Sequence, residues 1–231
     1  VMALCGALGG GLHGILAAAL KVRFGTNETL LTLMLNYIAL YFLQFFAETK
    51  APWNFFLDPG SAGPKFAKFP GSAQMILIPV GPFRLNLSLI AALVLCALIF
   101  VYLNYTKRGY EIAVVGDSPS TARYAGMKVG RIVIRTVFLS AALIGMAGAF
   151  HMSTAGVMSA SPTNDVGWTG IVVAWLAKLD TMGILVVSLL ITVLQFGCQT
   201  ASATYPSIDA NFADLLQGVI LFTVLAADLF T

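Results

Sequence analysis

The sequence predicts an all-α fold: a polytopic transmembrane helical bundle of about six spans plus a broken or re-entrant segment. Three observations predict it. Hydrophobic residues make up 58% of the 231 residues and charged residues only 10%, where an ordinary soluble domain is roughly 25% charged. The mean hydropathy is +0.88. The apolar residues gather in runs as long as a bilayer is thick, with charges and helix breakers between them. A soluble globule this poor in charge has too few polar groups to cover its surface, so a soluble enzyme, a nucleic-acid binder and a disordered chain are excluded. The net charge of +3 is too small to suggest a polyanionic partner.

A helix needs about 20 mostly apolar residues to cross the hydrocarbon core. The first run, 1–20, carries no charge but includes His13 and the cluster Gly9-Gly10-Gly11. The second is 30–47. The third, 85–105, lacks charge throughout and shows none of the polar–apolar alternation of a barrel strand. The fourth is 132–150, with Arg135 in its first turn. A fifth covers 183–201 and a sixth 214–230, and the whole chain, 1–231, reads as a single transmembrane domain. Cys5, Cys96 and Cys198 lie inside apolar runs with no metal-ligand spacing and read as small apolar side chains.

The loops set the orientation. Residues 106–131 hold Lys107, Arg108, Arg123, Lys128 and Arg131 against Glu111 and Asp117, and the first short loop holds Lys21 and Arg23. The positive-inside rule places 21–29 and 106–131 in the cytoplasm and 48–84 outside. That outer loop mixes breakers such as Pro52, Pro59 and Pro70 with Trp53, Phe56 and Phe66, a composition suited to the membrane interface or, as the alternative, to a docking surface for an external partner. Residues 151–182 combine Gly156, Pro162, Gly167 and Gly170 with Asp165, Lys178 and Asp180, and the apolar stretch 171–177 is too short to span. This is the expected broken segment, and interrupted segments of this kind often line a solute path.

The sequence contains no G-x-x-x-x-G-K-[ST], no H-E-x-x-H and no G-x-S-x-G. No catalytic residue and no metal ligand is expected, and no ATP site of the P-loop type. The informative stretch is cytoplasmic. Asp117 or Ser118 is suited to cap a short helix with Pro119 in its first turn, running through Ser120–Ala125 and stopping at Gly126. Its small residues suit insertion into a groove on another protein. The residues alone equally allow a solvated positive loop that only sets topology.

This loop, with Gly109-Tyr110-Glu111, Ala113, Gly116, Pro119 and Ala122-Arg123-Tyr124-Ala125-Gly126-Met127, resembles the coupling segment of bacterial ABC-importer permeases for branched-chain amino acids, ribose-type sugars and nucleosides. The stretch Asn27-Glu28-Thr29-Leu30, followed by Thr32-Leu33-Met34-Leu35-Asn36-Tyr37-Ile38-Ala39, is similar to a segment of the nucleoside and simple-sugar branch. Ser140-Ala141-Ala142-Leu143-Ile144-Gly145-Met146-Ala147-Gly148-Ala149 resembles a small-residue helix of the same family. The resemblance runs over nearly the whole chain. Two departures stand out: helices that family members carry before the first span are missing, which implies N-terminal truncation, and Trp175 and Ala177 replace smaller residues of the family pattern.

The resemblance implies a permease subunit that moves a nucleoside or simple sugar across a bacterial plasma membrane by alternating access. It implies cytoplasmic ABC ATPases that bind ATP and Mg, a second permease chain (identical or different), and an external solute-binding protein; no cofactor is expected in this chain. Gly116, Pro119, Ala122, Arg123, Tyr124, Ala125 and Gly126 would couple to the ATPase. Asn36 and Tyr37 lie mid-span and read either as solute-path residues or as interhelical glue. Trp168 reads either as a stacking platform for a base or sugar or as an interfacial anchor. Arg135 is expected to snorkel to the cytoplasmic face, and His151 to cap its helix or sit at the interface. The competing class is an ion-coupled secondary transporter or channel, which should bury charges near the midplane; an inactive membrane fragment is the third reading.

Overall fold

The computed structural model describes residues 1–49, 54, 56–58, 60, 65–75, 77–80, 83–158, 166–205 and 212–229. The chain divides into two compact units, Val1–Pro162 and Thr163–Thr231.

In the first unit, α1 (Met2–Phe24) ends on Lys21 and Arg23 and stops at Gly25, whose φ of 64° is left-handed. Three residues later α2 (Glu28–Glu48) begins, capped by Asn27, whose side chain accepts from the Thr29 and Leu30 amides at 3.0 and 3.4 Å. A two-stranded antiparallel hairpin, β1 (Leu77–Val80) and β2 (Phe83–Asn86), leads into α3 (Leu87–Tyr105), which Asn86 caps. Two helices then fill the cytoplasmic loop expected from the sequence: α4 (Lys107–Asp117) and α5 (Pro119–Tyr124). The long α6 (Val129–Ala155) follows and ends at Gly156, φ 71°.

The core of this unit is the contact of α1 with α6. Gly6, Gly10 and Gly14 form one stripe of α1 and meet Gly145, Ala141 and Ala149 of α6. A β-carbon on Gly10 would lie 2.6 Å from the Ala141 carbonyl oxygen and 2.9 Å from the Gly145 Cα. Those are backbone atoms, so nothing flexible can yield. Without a hydrophobic driving force in lipid, helices associate through such close van der Waals contact. The opposite stripe of α1, Leu4, Leu8, Leu12 and Leu16, is exposed. Gly6, Gly10 and Gly14 pair in turn with residues of decreasing number on α6, down to Val22 beside Gly130, so the two helices run antiparallel. The start of α6 and the end of α1 therefore share one end of the unit.

At the other end the loop between α2 and α3 is pinned to the end of α6. The Phe69 amide donates to the Gly156 carbonyl at 2.9 Å, the Ser153 hydroxyl donates to the Ala73 carbonyl at 2.5 Å, and Asn86 Nδ2 donates to Thr154 Oγ1 at 3.0 Å. Asn54, buried, donates to the Phe46 and Thr49 carbonyls, each at 2.8 Å, and closes the end of α2. Of the interfacial residues expected in this loop, Pro52, Trp53 and Pro59 lie outside the described residues.

The second unit holds α7 (Val166–Leu176), α8 (Thr181–Thr204) and α9 (Phe212–Leu229). A tight turn joins α7 to α8 through Lys178 and Leu179, at φ 50° and 60°. Asp180 then caps α8, accepting from the Gly183 amide at 2.8 Å.

Among the described residues five helices are long and apolar enough to cross a membrane: α1, α2, α3, α6 and α8. The expected sixth span is occupied by α9, whose Phe212–Val224 portion ranks as a shorter apolar helix. The segment expected to be broken contains α7, only 11 residues long; Pro162 and Asp165 lie outside the described residues. The bundle is helical as expected, with the small hairpin as an addition. Among the described residues no large side chain is fully buried, and α2 and α3 bury no residue at all. Such a surface needs lipid, or further protein, as its solvent.

The packing separates two adjacent glycines. Gly10→Ala should destabilise the chain by roughly 1–3 kcal/mol, the usual cost of overpacking, seen as a lower melting temperature in detergent. Gly9→Ala, whose added carbon meets nothing within 4 Å, should hold the melting temperature or raise it slightly, because alanine favours the helix over glycine.

Candidate transport cavity and coupling segment

A cavity of about 510 Å³ opens between α1, α2 and α6. Each helix contributes residues at helical spacing: Gly10, His13, Gly14 and Ala17; Thr32, Leu35, Asn36 and Ala39; Val137, Ser140, Ala141, Ile144 and Gly145. The polar groups are His13, Thr32, Asn36 and Ser140, and no charged residue lines the cavity. His13, Asn36 and Ser140 each sit near the midpoint of their helix, so in a bilayer they share one depth. The Thr32 hydroxyl is already committed to its own helix, donating to the Glu28 carbonyl at 2.8 Å and close to that of Thr29 at 3.1 Å. Among the described residues the side chains of His13, Asn36 and Ser140 have no hydrogen-bond partner. Unpaired polar groups at mid-span are costly in lipid and are tolerated where they face a wet cavity.

The two residues named with Asn36 are placed elsewhere. Tyr37 stands one step round α2, is exposed, and does not line the cavity. Trp168 is exposed at the start of α7 in the second unit. Two lining residues escaped the sequence reading. The sequence marks His13 only as a histidine within a charge-free run, and Ser140 only as one of a run of small residues. The available signal was depth: both fall at the centre of an apolar helix.

The expected coupling segment is more ordered than a loop. Thr106 accepts from the Gly109 amide at 3.2 Å and donates to the Tyr102 carbonyl at 2.6 Å, so α3 turns into α4 through one hydroxyl. Gly109 is required there, because a β-carbon would sit 2.6 Å from the Tyr102 carbonyl oxygen. Ser118 caps α5, accepting from the Thr121 amide at 3.3 Å, with Pro119 in the first turn. Ala122 is fully buried, at 0% exposure, whereas Tyr124 is 94% exposed. Gly116, Pro119, Arg123, Ala125 and Gly126 are exposed too, and Gly126 ends the segment at φ 76°.

Arg135 does not simply snorkel. Its Nη2 donates to Glu111 Oε2 at 3.0 Å, tying α4 to α6. Both side chains are partly buried, at 34% and 26% exposure. In the sequence Glu111 is one of two acidic residues of a basic loop and part of a motif; its pairing with Arg135 appears only when α4 folds against α6.

A family model described as the permease component of the branched-chain amino acid transport system matches residues 1–225. The chain belongs to this family. Similar proteins include the nucleoside ABC transporter permease NupB of Lactococcus lactis, 27% identical over 97% of this chain and 62% of that relative. The guanosine ABC transporter permease NupP of Bacillus subtilis is 27% identical over 94% of the chain and 62% of its own length. The glucose ABC transporter permease TsgB13 of Haloferax volcanii is 20% identical over 100% and 62%. The chain thus spans about three fifths of the length of these relatives. No solved structure matches. Family and apolar helices together make this a multi-pass protein of the plasma membrane.

The α4–α6 ion pair supplies a test within this permease fold. Glu111→Gln or Arg135→Gln should each cost roughly 1–3 kcal/mol, since each strands a partly buried charge. The exchanged pair, Glu111→Arg with Arg135→Glu, should recover part of that loss in thermal melts of the purified chain.

Proposed function

We propose that the chain is the membrane-spanning subunit of an ATP-driven ABC importer whose solute is an uncharged nucleoside. The observation that carries this reading is the midplane cavity with three polar side chains that have no hydrogen-bond partner and with no aspartate, glutamate, lysine or arginine in its lining. A free amino acid carries two full charges, which this lining would leave unpaired at mid-membrane. A nucleoside carries none. Its volume class fits a site of about 510 Å³, within the roughly 300–1,000 Å³ of small-molecule pockets. The walls favour a base over a hexose. Leu35, Val137, Ile144 and the small residues between them offer apolar surface to a flat ring, while His13, Asn36 and Ser140 offer a few directed hydrogen bonds. A hexose, with hydroxyls on every side, needs more partners. The nucleoside and guanosine permeases among the relatives support the same choice.

In this reading the basic end of α1 and α6 is cytoplasmic, and the exposed face of α5 meets a separate ATPase that binds ATP and Mg. Closure of two such ATPases pushes on Tyr124, Ala125 and their neighbours. The push reaches α6 through the Glu111–Arg135 pair. Because α6 is locked to α1 by the glycine stripe and carries Ser140, its movement reshapes the cavity. A second permease chain and an external binding protein complete the assembly.

Uptake of labelled nucleoside by cells expressing the whole transporter tests the solute site. Asn36→Leu and His13→Leu should each lower uptake at least about tenfold, the cost of one lost hydrogen bond to a solute with its partner stranded, with membrane abundance and complex assembly intact. Loss of assembly in parallel with uptake, or inhibition of wild-type uptake by hexoses rather than nucleosides, would sink the assignment. Ala125→Trp tests the coupling face. It lies outside the membrane spans and is exposed, so the permease should insert normally, while ATP hydrolysis should no longer respond to the binding protein. Wild-type transport in that variant would leave the segment as a topology signal only.

A further inference from the structure

We propose that a hollow at the basic end of the α1–α6 pair binds the headgroup of an anionic phospholipid. The hollow has a volume of about 430 Å³ and is lined by Lys21, Arg123 and Lys128 together with Val22, Val129 and Val133. The three cations come from three separate places: the last turn of α1, the end of α5, and the residue that precedes α6. Their convergence is a product of the fold and not of sequence proximity. Lys21 forms an ion pair with Glu28. Among the described residues Arg123 and Lys128 have no ion-pair partner, so the hollow keeps a surplus of positive charge.

The chemistry of the lining selects the ligand. Val22, Val129 and Val133 belong to helices long and apolar enough to cross the membrane, so the apolar wall continues into the lipid-facing surface. Lys21 and Lys128 mark the ends of those helices, where the hydrocarbon gives way to headgroups. A ligand with a phosphodiester at one end and a hydrocarbon chain at the other satisfies both halves. Free phosphate leaves the valines uncovered. A carboxylate on a partner protein leaves them equally uncovered unless that protein enters the membrane. Basic hollows between helices at the cytoplasmic face are the geometry in which lipid headgroups bind. The site lies apart from the transport cavity, and none of its residues lines that cavity.

The test uses the full-length permease in nanodiscs of phosphatidylcholine with and without phosphatidylglycerol, followed by native mass spectrometry of the lipids retained after transfer to detergent. Wild type should retain phosphatidylglycerol in preference to phosphatidylcholine. Lys21→Gln and Lys128→Gln should each weaken retention roughly fivefold, the worth of one lysine near an anionic surface. Lys107→Gln, on α4 and outside the hollow, should not. Glycerol 3-phosphate and inorganic phosphate should fail to displace the lipid. Equal loss in Lys107→Gln would show diffuse attraction and overturn the site. Displacement by free phosphate would reassign it to a soluble anion. Unchanged lipid retention in Lys128→Gln with weakened ATPase association would reassign it to a protein partner. Retention is read without transport, so this result is independent of the nucleoside assignment.

Discussion

Everything in the first unit hangs on the approach of α1 to α6. Three glycines on one helix face meet glycine and alanines on the other, close enough that a single added carbon strikes backbone at Gly6 and Gly10 and the Ala141 Cβ at Gly14. In lipid this contact cannot borrow the hydrophobic effect, because the tails outside are as apolar as the side chains within. Shape alone holds it. The same contact fixes the antiparallel register, and the register puts His13 opposite Ser140 across the wall of one cavity. It also brings Lys21 beside Lys128 at the basic end.

The cavity follows from what close packing leaves open. α1 and α6 touch along their glycine stripe, and α2 completes the lining with Thr32, Leu35, Asn36 and Ala39. Small residues and the polar His13, Asn36 and Ser140 share the lining of the gap between them. Charges are kept away from it: the partly buried pair of the first unit, Glu111 with Arg135, joins α4 to the early part of α6. An ion-coupled carrier would need such charges at the midplane, and this lining offers none.

The coupling segment shows how local and tertiary effects divide the work. Thr106 and Ser118 cap α4 and α5 through their own hydroxyls, as capping chemistry dictates. Residue types narrowed the cap to Asp117 or Ser118 and placed Pro119 in the first turn and the stop at Gly126; the structure takes Ser118 and leaves Asp117 as the last residue of α4. The length of α4 was not, because Gly109 and Gly116 interrupt its pattern and lower its intrinsic helix propensity. Its stability comes instead from the turn against Tyr102 and Leu103, which only a glycine at 109 permits, and from the ion pair with Arg135.

The sequence by itself determined the helical class, the membrane as solvent, the approximate places of the long spans and the family, because each rests on one-dimensional facts: run length, charge poverty and motif spacing. It placed Asn36 among the candidates for the same reason, a polar residue inside an apolar run. It did not distinguish Gly9 from Gly10, which are neighbours in the chain and point to opposite surroundings. Nor did it gather His13, Asn36 and Ser140, or Lys21, Arg123 and Lys128, since each set is drawn from segments far apart in sequence. It grouped Tyr37 with Asn36, and the helix turned them apart, because adjacent residues on a helix lie about 100° from each other. Which face of each helix meets which neighbour is a property of packing in three dimensions, and that is what the tertiary structure alone decided.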